Sequence, residues 1–313
     1  MENERLKKND EPRKWSGNGI LLFFAFYLAI LVLAAVLSPI LFFTTKYLGT
    51  TFSLEIFQHF IGKGFEKFFD RAKLVSAIIL LFPFVKIAGI KSAGDIWIGK
   101  FPRKRFFLAF ACGTVLVCLI YVWLLWTSPF ALVSPEPLPA EIYLFNFVKF
   151  GAAAAGIGFL EELLFRGVIF RFFSENVGRI LAVILGALFF AYCHAATARN
   201  LKIDGSDVTI FSGFRCIIPS LLSICHNFNL LNFLNLILFG IFLTILLLKF
   251  ESIFMPIAFH IGVVFALMNA RSCIKITAIF GGSRGILDTW LTAGLLGMFI
   301  VCLFPGKADD SSI

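Results

Sequence analysis

Gly151 to Phe173 reads GAAAAGIGFLEELLFRGVIFRFF. At 1.5 Å rise per residue this run is long enough to cross a bilayer as one helix, for which about 20 apolar residues suffice. Yet Glu161, Glu162 and Arg166 lie near its middle. A charge at a helix centre in lipid costs roughly 2.5 to 3.5 kcal/mol, so such groups usually face a partner or a water-filled cavity inside a bundle. Glu162 and Arg166 have the i,i+4 spacing of an ion pair on one helical face. That structural pairing leaves Glu161 unexplained.

The composition around this run is that of a membrane protein. Of 313 residues 59% are hydrophobic, 15% are charged and 41 are phenylalanine; a soluble domain carries about 25% charged residues. The apolar residues fall in long uninterrupted stretches, which excludes two soluble domains. The formal charge of +9 comes from Lys and Arg in loops flanking apolar runs, without an aromatic-interleaved basic face, so nucleic acid is not an expected partner. The seven cysteines form no C-x-x-C pair, and Cys112, Cys118, Cys193 and Cys302, inside apolar runs, read as small buried hydrophobes.

Working outward, the expected fold is all-α: a polytopic membrane helix bundle with about eight spans, near residues 19–45, 74–94, 106–127, 150–173, 179–197, 228–249, 252–270 and 285–305. Residues 1–18 form a polar tail, and 19–139 hold the N-terminal spans with an interfacial amphipathic helix at 51–73. The stretch 140–272 forms the chemical core, and 273–313 the last span and tail. Lys86 to Arg105 carries six basic residues against one acid, and the N-terminal tail carries five more. The positive-inside rule puts both in the cytoplasm, and eight spans return the C-terminus there. Ser128 to Glu141, with four prolines and no Lys or Arg, is expected outside.

The polar turn Ser174 to Gly178 makes the runs before and after it antiparallel neighbours. Glu161 and His194 are equally far from the centre of that turn, about 25 Å along their helices. A carboxylate and an imidazole at one depth are placed to share a water. His260 lies about 15 Å along the seventh run. Either histidine alone fits a packing role. An acid pair, an Arg and two histidines on three spans point to chemistry, because each is costly in lipid.

These residues also carry a resemblance. Glu161-Glu162-Leu-Leu-Phe-Arg166 resembles the E-E-x-x-x-R motif of the CPBP family, which holds the type II CAAX prenyl endopeptidases and bacteriocin-processing enzymes. Phe190-Ala-Tyr-Cys-His194 is similar to its F-x-x-x-H motif. His260 fits a third motif, whose Asn or Asp four residues on is replaced by Val264. The resemblance covers about 140–272. It implies an intramembrane endopeptidase acting at the bilayer on a peptide or lipidated protein. Glu161 would be general base, His194 its partner, Glu162 and Arg166 an orienting pair, and His260 an oxyanion holder.

Valine cannot donate a hydrogen bond, and losing one oxyanion donor typically costs ~100 to 1000-fold in rate. Asn232 and Asn235, at about 22 to 26 Å depth on the sixth run, are candidate substitutes; equally, they would simply join helices by hydrogen bonds. No cofactor is favoured. Glu161, His194 and His260 make a His2Glu set whose composition suits a divalent metal such as zinc, but no H-E-x-x-H spacing supports it. Two rival functions stand beside the protease: a catalytically weak or inactive scaffold for binding or immunity, suggested by Val264, and a proton-coupled transporter using Glu161.

Overall fold

A computed structural model of the protein describes residues 17–52, 61–62, 64–127, 131–133, 139–198, 201–226, 229–273, 275–277, 292 and 294–297. Among them the fold is of the expected all-α class, helical apart from one short strand pair. The helices are α1 (Gly17–Thr51), α2 (Phe65–Ile87), α3 (Arg103–Thr127), α4 (Ala140–Glu162), α5 (Phe170–Val177), α6 (Arg179–Ala195), α7 (Ser212–His226), α8 (Leu230–Phe250) and α9 (Phe254–Cys273). A π-helical segment, Leu163–Ile169, joins α4 to α5, and a 3-10 turn, Ala93–Ile96, precedes α3. A small antiparallel pair, β1 (Ala131–Val133) and β2 (Lys275–Thr277), sets Leu132 opposite Ile276.

Along α1, Phe24, Leu28, Val32, Val36, Ile40 and Phe43 are exposed in a helical stripe, while Leu31, Ala34, Ala35 and Phe42 are buried. A helix apolar on both its buried and its exposed face suits lipid, since water would leave the outer stripe as an unsupported patch. The chain is an integral membrane protein. Four helical stretches among the described residues are long and apolar enough to cross a membrane: Leu21–Thr51, Arg103–Trp123, Leu230–Phe250 and Phe254–Ser272. The other expected spans differ for physical reasons. The run at 150–173 is divided by the π segment, α6 is short, and α2 begins with charged residues. The span expected at 285–305 and the proline-rich loop lie largely outside the described residues.

Chain contacts define two units. In the first, α1, α2 and α7 pack together around Phe42, whose ring meets Phe65 and Phe68 edge-on at 5.7 and 5.3 Å. Gly213 lets α7 approach α1, for a Cβ there would strike the backbone of Ala35. Residues 65–73, expected in a separate interfacial helix, instead open α2, which continues to Ile87. Their Phe65, Phe68, Phe69 and Ala72 are buried, so packing rather than a headgroup surface absorbs this face. Helix α7 falls where a loop was expected. Its Ser212, Cys216, Ser220 and Ser223 face inward, and its Phe214, Ile218 and Leu222 outward, the small-polar-inside arrangement of membrane helices.

The second unit holds α3, α4, residues 170–174 of α5, residues 179–191 of α6, α8 and α9. Helices α3 and α9 cross at a glycine pair: a Cβ on Gly113 would hit the carbonyl oxygen of Phe259, and one on Gly262 that of Phe110. The loop before α3 is tied to the same unit. Arg171 Nη1 donates to the Asp95 carbonyl at 3.0 Å, Ile253 N–H to that of Trp97 at 3.2 Å, and Trp97 packs on Phe170. The turn expected over Ser174 to Gly178 is tighter in fact: α5 runs to Val177 and only Gly178, at φ 84°, separates it from α6. That left-handed conformation favours glycine.

Candidate active site

The site grows from the end of α4. Gly158 brings α4 against α9, since a Cβ there would stand 2.7 Å from the Ile261 side chain and 3.2 Å from its backbone nitrogen. Glu161 and Glu162, one turn on, are thereby set beside His260. Immediately afterwards the chain enters the π segment, a geometry that is rare and frequently found at functional sites. Arg166 sits within it, buried, as are all residues from Phe165 to Phe170.

Glu162 is the hub. Its Oε1 accepts from Arg166 Nη1 at 2.9 Å and lies 2.7 Å from His260 Nδ1. All three residues are buried, Glu162 completely. An ionised carboxylate can only accept, so this contact keeps the proton of His260 on Nδ1 and turns Nε2 the other way. Nε2 lies 3.9 Å from Glu161 Oε2. The pairing of Glu162 with Arg166 is as the spacing predicts; the bond from Glu162 to His260 was not foreseen. Glu161, which the ion-pair reading left over, stands across from the free side of the His260 ring and is the more exposed of the two acids.

Aromatic rings and a carbonyl complete the enclosure. The Arg166 guanidinium lies 4.5 Å from the centroid of the Phe190 ring and donates Nη2 to the Gly240 carbonyl at 3.2 Å. Gly240 also accepts from Thr244 Oγ1 at 2.9 Å, and its missing side chain lets α8 lie against Ala187 of α6. Phe190 and Phe239 both meet the His260 ring edge-on, at 6.3 and 5.3 Å. Phe190 is the first residue of F-x-x-x-H, so the phenylalanine of that pattern contacts both Arg166 of the first pattern and His260 of the third. A cation over an aromatic face is worth up to about 2 kcal/mol when desolvated.

His194 occupies the last turn of α6, one turn beyond Phe190, and belongs with the first unit. Asn235 is fully buried on α8 one turn before Phe239; Asn232, three residues earlier, is partly exposed. Asn229 caps α8, its Oδ1 accepting from Asn232 N–H at 3.0 Å. Val264 follows His260 by one turn of α9. Among the described residues no three His, Cys, Asp or Glu side chains gather in a metal-holding group. Glu162 engages His260 Nδ1, which leaves Nε2 as the ring nitrogen on the Glu161 side.

Buried Glu162, Arg166 and His260 thus form one contiguous set of contacts, with the partly exposed Glu161 facing the far side of the His260 ring. Residues 143–266 match the family described as "Type II CAAX prenyl endopeptidase Rce1-like". That stretch, less than half of the chain, holds every motif residue, and there the chain is similar to the type II CAAX prenyl endopeptidases. Among curated proteins and solved structures nothing matches significantly.

Proposed function

We propose that the protein hydrolyses a peptide bond of a prenylated CAAX-type protein or peptide at the membrane, with water activated by Glu161. One observation carries this reading: His260, clamped through Nδ1 by the Arg166-paired Glu162, presents Nε2 toward Glu161 at 3.9 Å. That separation is too long for a direct hydrogen bond, whose heavy atoms stand about 2.7 to 3.2 Å apart, and short enough for one water or substrate oxygen to touch both groups.

In this reading Glu161 takes the proton of the attacking water, and His194 of the second motif holds that water as hydrogen-bond partner. The hydroxide adds to the peptide carbonyl. The charge developing on the carbonyl oxygen meets His260, which as an imidazolium donates from Nε2 while Glu162 and Arg166 hold its ring. Glu161 then returns the proton to the leaving amine. Asn235, fully buried on the helix face that also carries Phe239, is the better candidate for the amide that Val264 cannot supply. The N-terminal tail and the loop from Lys86 to Arg105 lie on the cytoplasmic side in this proposal, as their positive charge favours.

The test is hydrolysis by purified protein in detergent of a farnesylated CAAX peptide beside its unprenylated counterpart. Cleavage that is lost in Glu161→Gln supports the reading. A parent protein without activity on either peptide, or a fully active Glu161→Gln, overturns it.

A further inference from the structure

The chain leaving His194 is held by a polar cluster that the proposed chemistry does not use. Lys73 of α2 donates Nζ to the Ala196 carbonyl and, at 3.0 Å, to Ser220 Oγ of α7. Ser220 Oγ donates to the same carbonyl at 3.2 Å. Ser223 Oγ lies 2.8 Å from the Ala195 carbonyl and accepts from Thr197 N–H at 3.1 Å. Asp70 pairs with Lys73 at 3.0 Å and accepts from Ala198 N–H at 3.3 Å. Four side chains from two helices thus engage the four consecutive residues after His194.

These contacts fall where a helix needs them. The last carbonyls of a helix have no partner within it, and a cation near them is favoured by the helix dipole. Helix α6 ends at Ala195 without a glycine, its cap residue Ala196 at φ −74° and ψ 79°. The ends of Ala195 and Ala196 are therefore satisfied from outside, by an ammonium and two hydroxyls. Ala196, Ala198 and Ser220 are essentially inaccessible, so water does not stand in for the lost partners.

We infer that Lys73, Asp70, Ser220 and Ser223 are positioning residues that fix the end of α6 and thereby the ring of His194. The inference rests on His194 acting in the proposed hydrolysis. A catalytic group displaced by about 1 Å by a distant change can lose ~100-fold in rate, so a frayed last turn at His194 is expected to lower turnover and leave substrate affinity in place.

The experiment measures kcat and KM separately, with the farnesylated CAAX peptide and purified protein, for Lys73→Met, Lys73→Arg and the double variant Ser220→Ala with Ser223→Ala. His194→Ala is run beside them. A drop in kcat of about 10-fold or more in Lys73→Met, with KM within about twofold and recovery in Lys73→Arg, is the expected result. Should Lys73→Met fail to fold, the double serine variant carries the test by the same criterion. If kcat is unchanged in whichever variant folds while His194→Ala is inactive, the positioning role is overturned and the hydrolytic reading stands. A fully active His194→Ala removes His194 from the reaction and the positioning role with it.

Discussion

His260 and Glu162 meet at 2.7 Å between Nδ1 and Oε1, inside a fully buried contact that Arg166 joins from the other side. A single carboxylate thereby neutralises one cation and orients one imidazole. Removing it leaves the imidazole without its acceptor and Arg166 with the Gly240 carbonyl in place of a counter-charge.

Glu162→Gln is accordingly expected to destabilise the fold strongly, by about 3 to 5 kcal/mol, the usual consequence of breaking a buried ion pair from one side. The double replacement Glu162→Met with Arg166→Met should cost less than the sum of its parts, because no buried charge is then stranded. Thermal unfolding in detergent of Glu162→Met, Arg166→Met and the double variant measures this; additive losses would contradict it.

Glu161→Gln and His194→Ala are each expected to abolish peptide hydrolysis while the protein keeps its thermal midpoint. Glu161 is the more exposed acid and does not hold Arg166 in the way Glu162 does. Single-turnover assays on folded variants give the comparison, and parental rates in both would end the general-base assignment.

Asn235→Leu is expected to lower kcat by ~100-fold or more, the loss typical of one oxyanion donor, with Asn232→Leu much milder. Val264→Asn should restore part of the loss in the Asn235→Leu background. Equal activity in all three variants would reduce the asparagines to links between helices.

Gly262→Val puts branched carbon against the Phe110 carbonyl. Overpacking typically costs about 1 to 3 kcal/mol, and because α9 carries His260, activity should fall with stability. A thermal melt and an activity assay on the same preparation check both; an unchanged melt would mean the helices part without penalty.

Asp95 accepts from the backbone N–H groups of Lys91 and Ser92 at 2.9 Å each, and these bonds hold its carboxyl below the usual carboxylate range. The stabilising effect is complete above the ordinary value of about 3.9 and is lost as pH falls through the lowered folded value. Protection of the Lys91 and Ser92 amides, measured against the intrinsic exchange rate at each pH, should fall only in that acid window, and Asp95→Asn should remove the dependence.

Much of the fold is legible in hydropathy, because lipid demands long apolar runs and α1, α3, α8 and α9 supply them. Helix α7 was hidden because its inward face is Ser212, Cys216, Ser220 and Ser223; buried small polar residues resemble a loop when read for hydrophobicity. The quartet Glu161, Glu162, Arg166 and His260 was legible from the cost of charge in lipid. Which acid would hold the histidine was not. Spacing along one helix fixes neighbours on that helix, whereas the contact to α9 depends on Gly158 and on the crossing of Gly113 with Gly262. Phe190 was readable only as a motif letter until its ring was found under Arg166.

The π segment Leu163–Ile169 closes its hydrogen bonds one residue further on than an α-helix does. It acts as a phase shift in the chain: everything after it is rotated by about 100°, the turn of one α-helical residue, relative to an unbroken helix of the same sequence. Glu161 and Glu162 lie ahead of the shift, Arg166 within it, and Phe170, which packs on Trp97, behind it. The segment thus absorbs one residue's worth of rotation without passing it on. Deleting one residue between Leu163 and Ile169 would let the helix regularise with Phe170 and the residues after it on their present faces, whereas straightening the segment at full length would turn them away. Local disturbance at Arg166, and not a rotation of α5, is the expected mark of such a deletion.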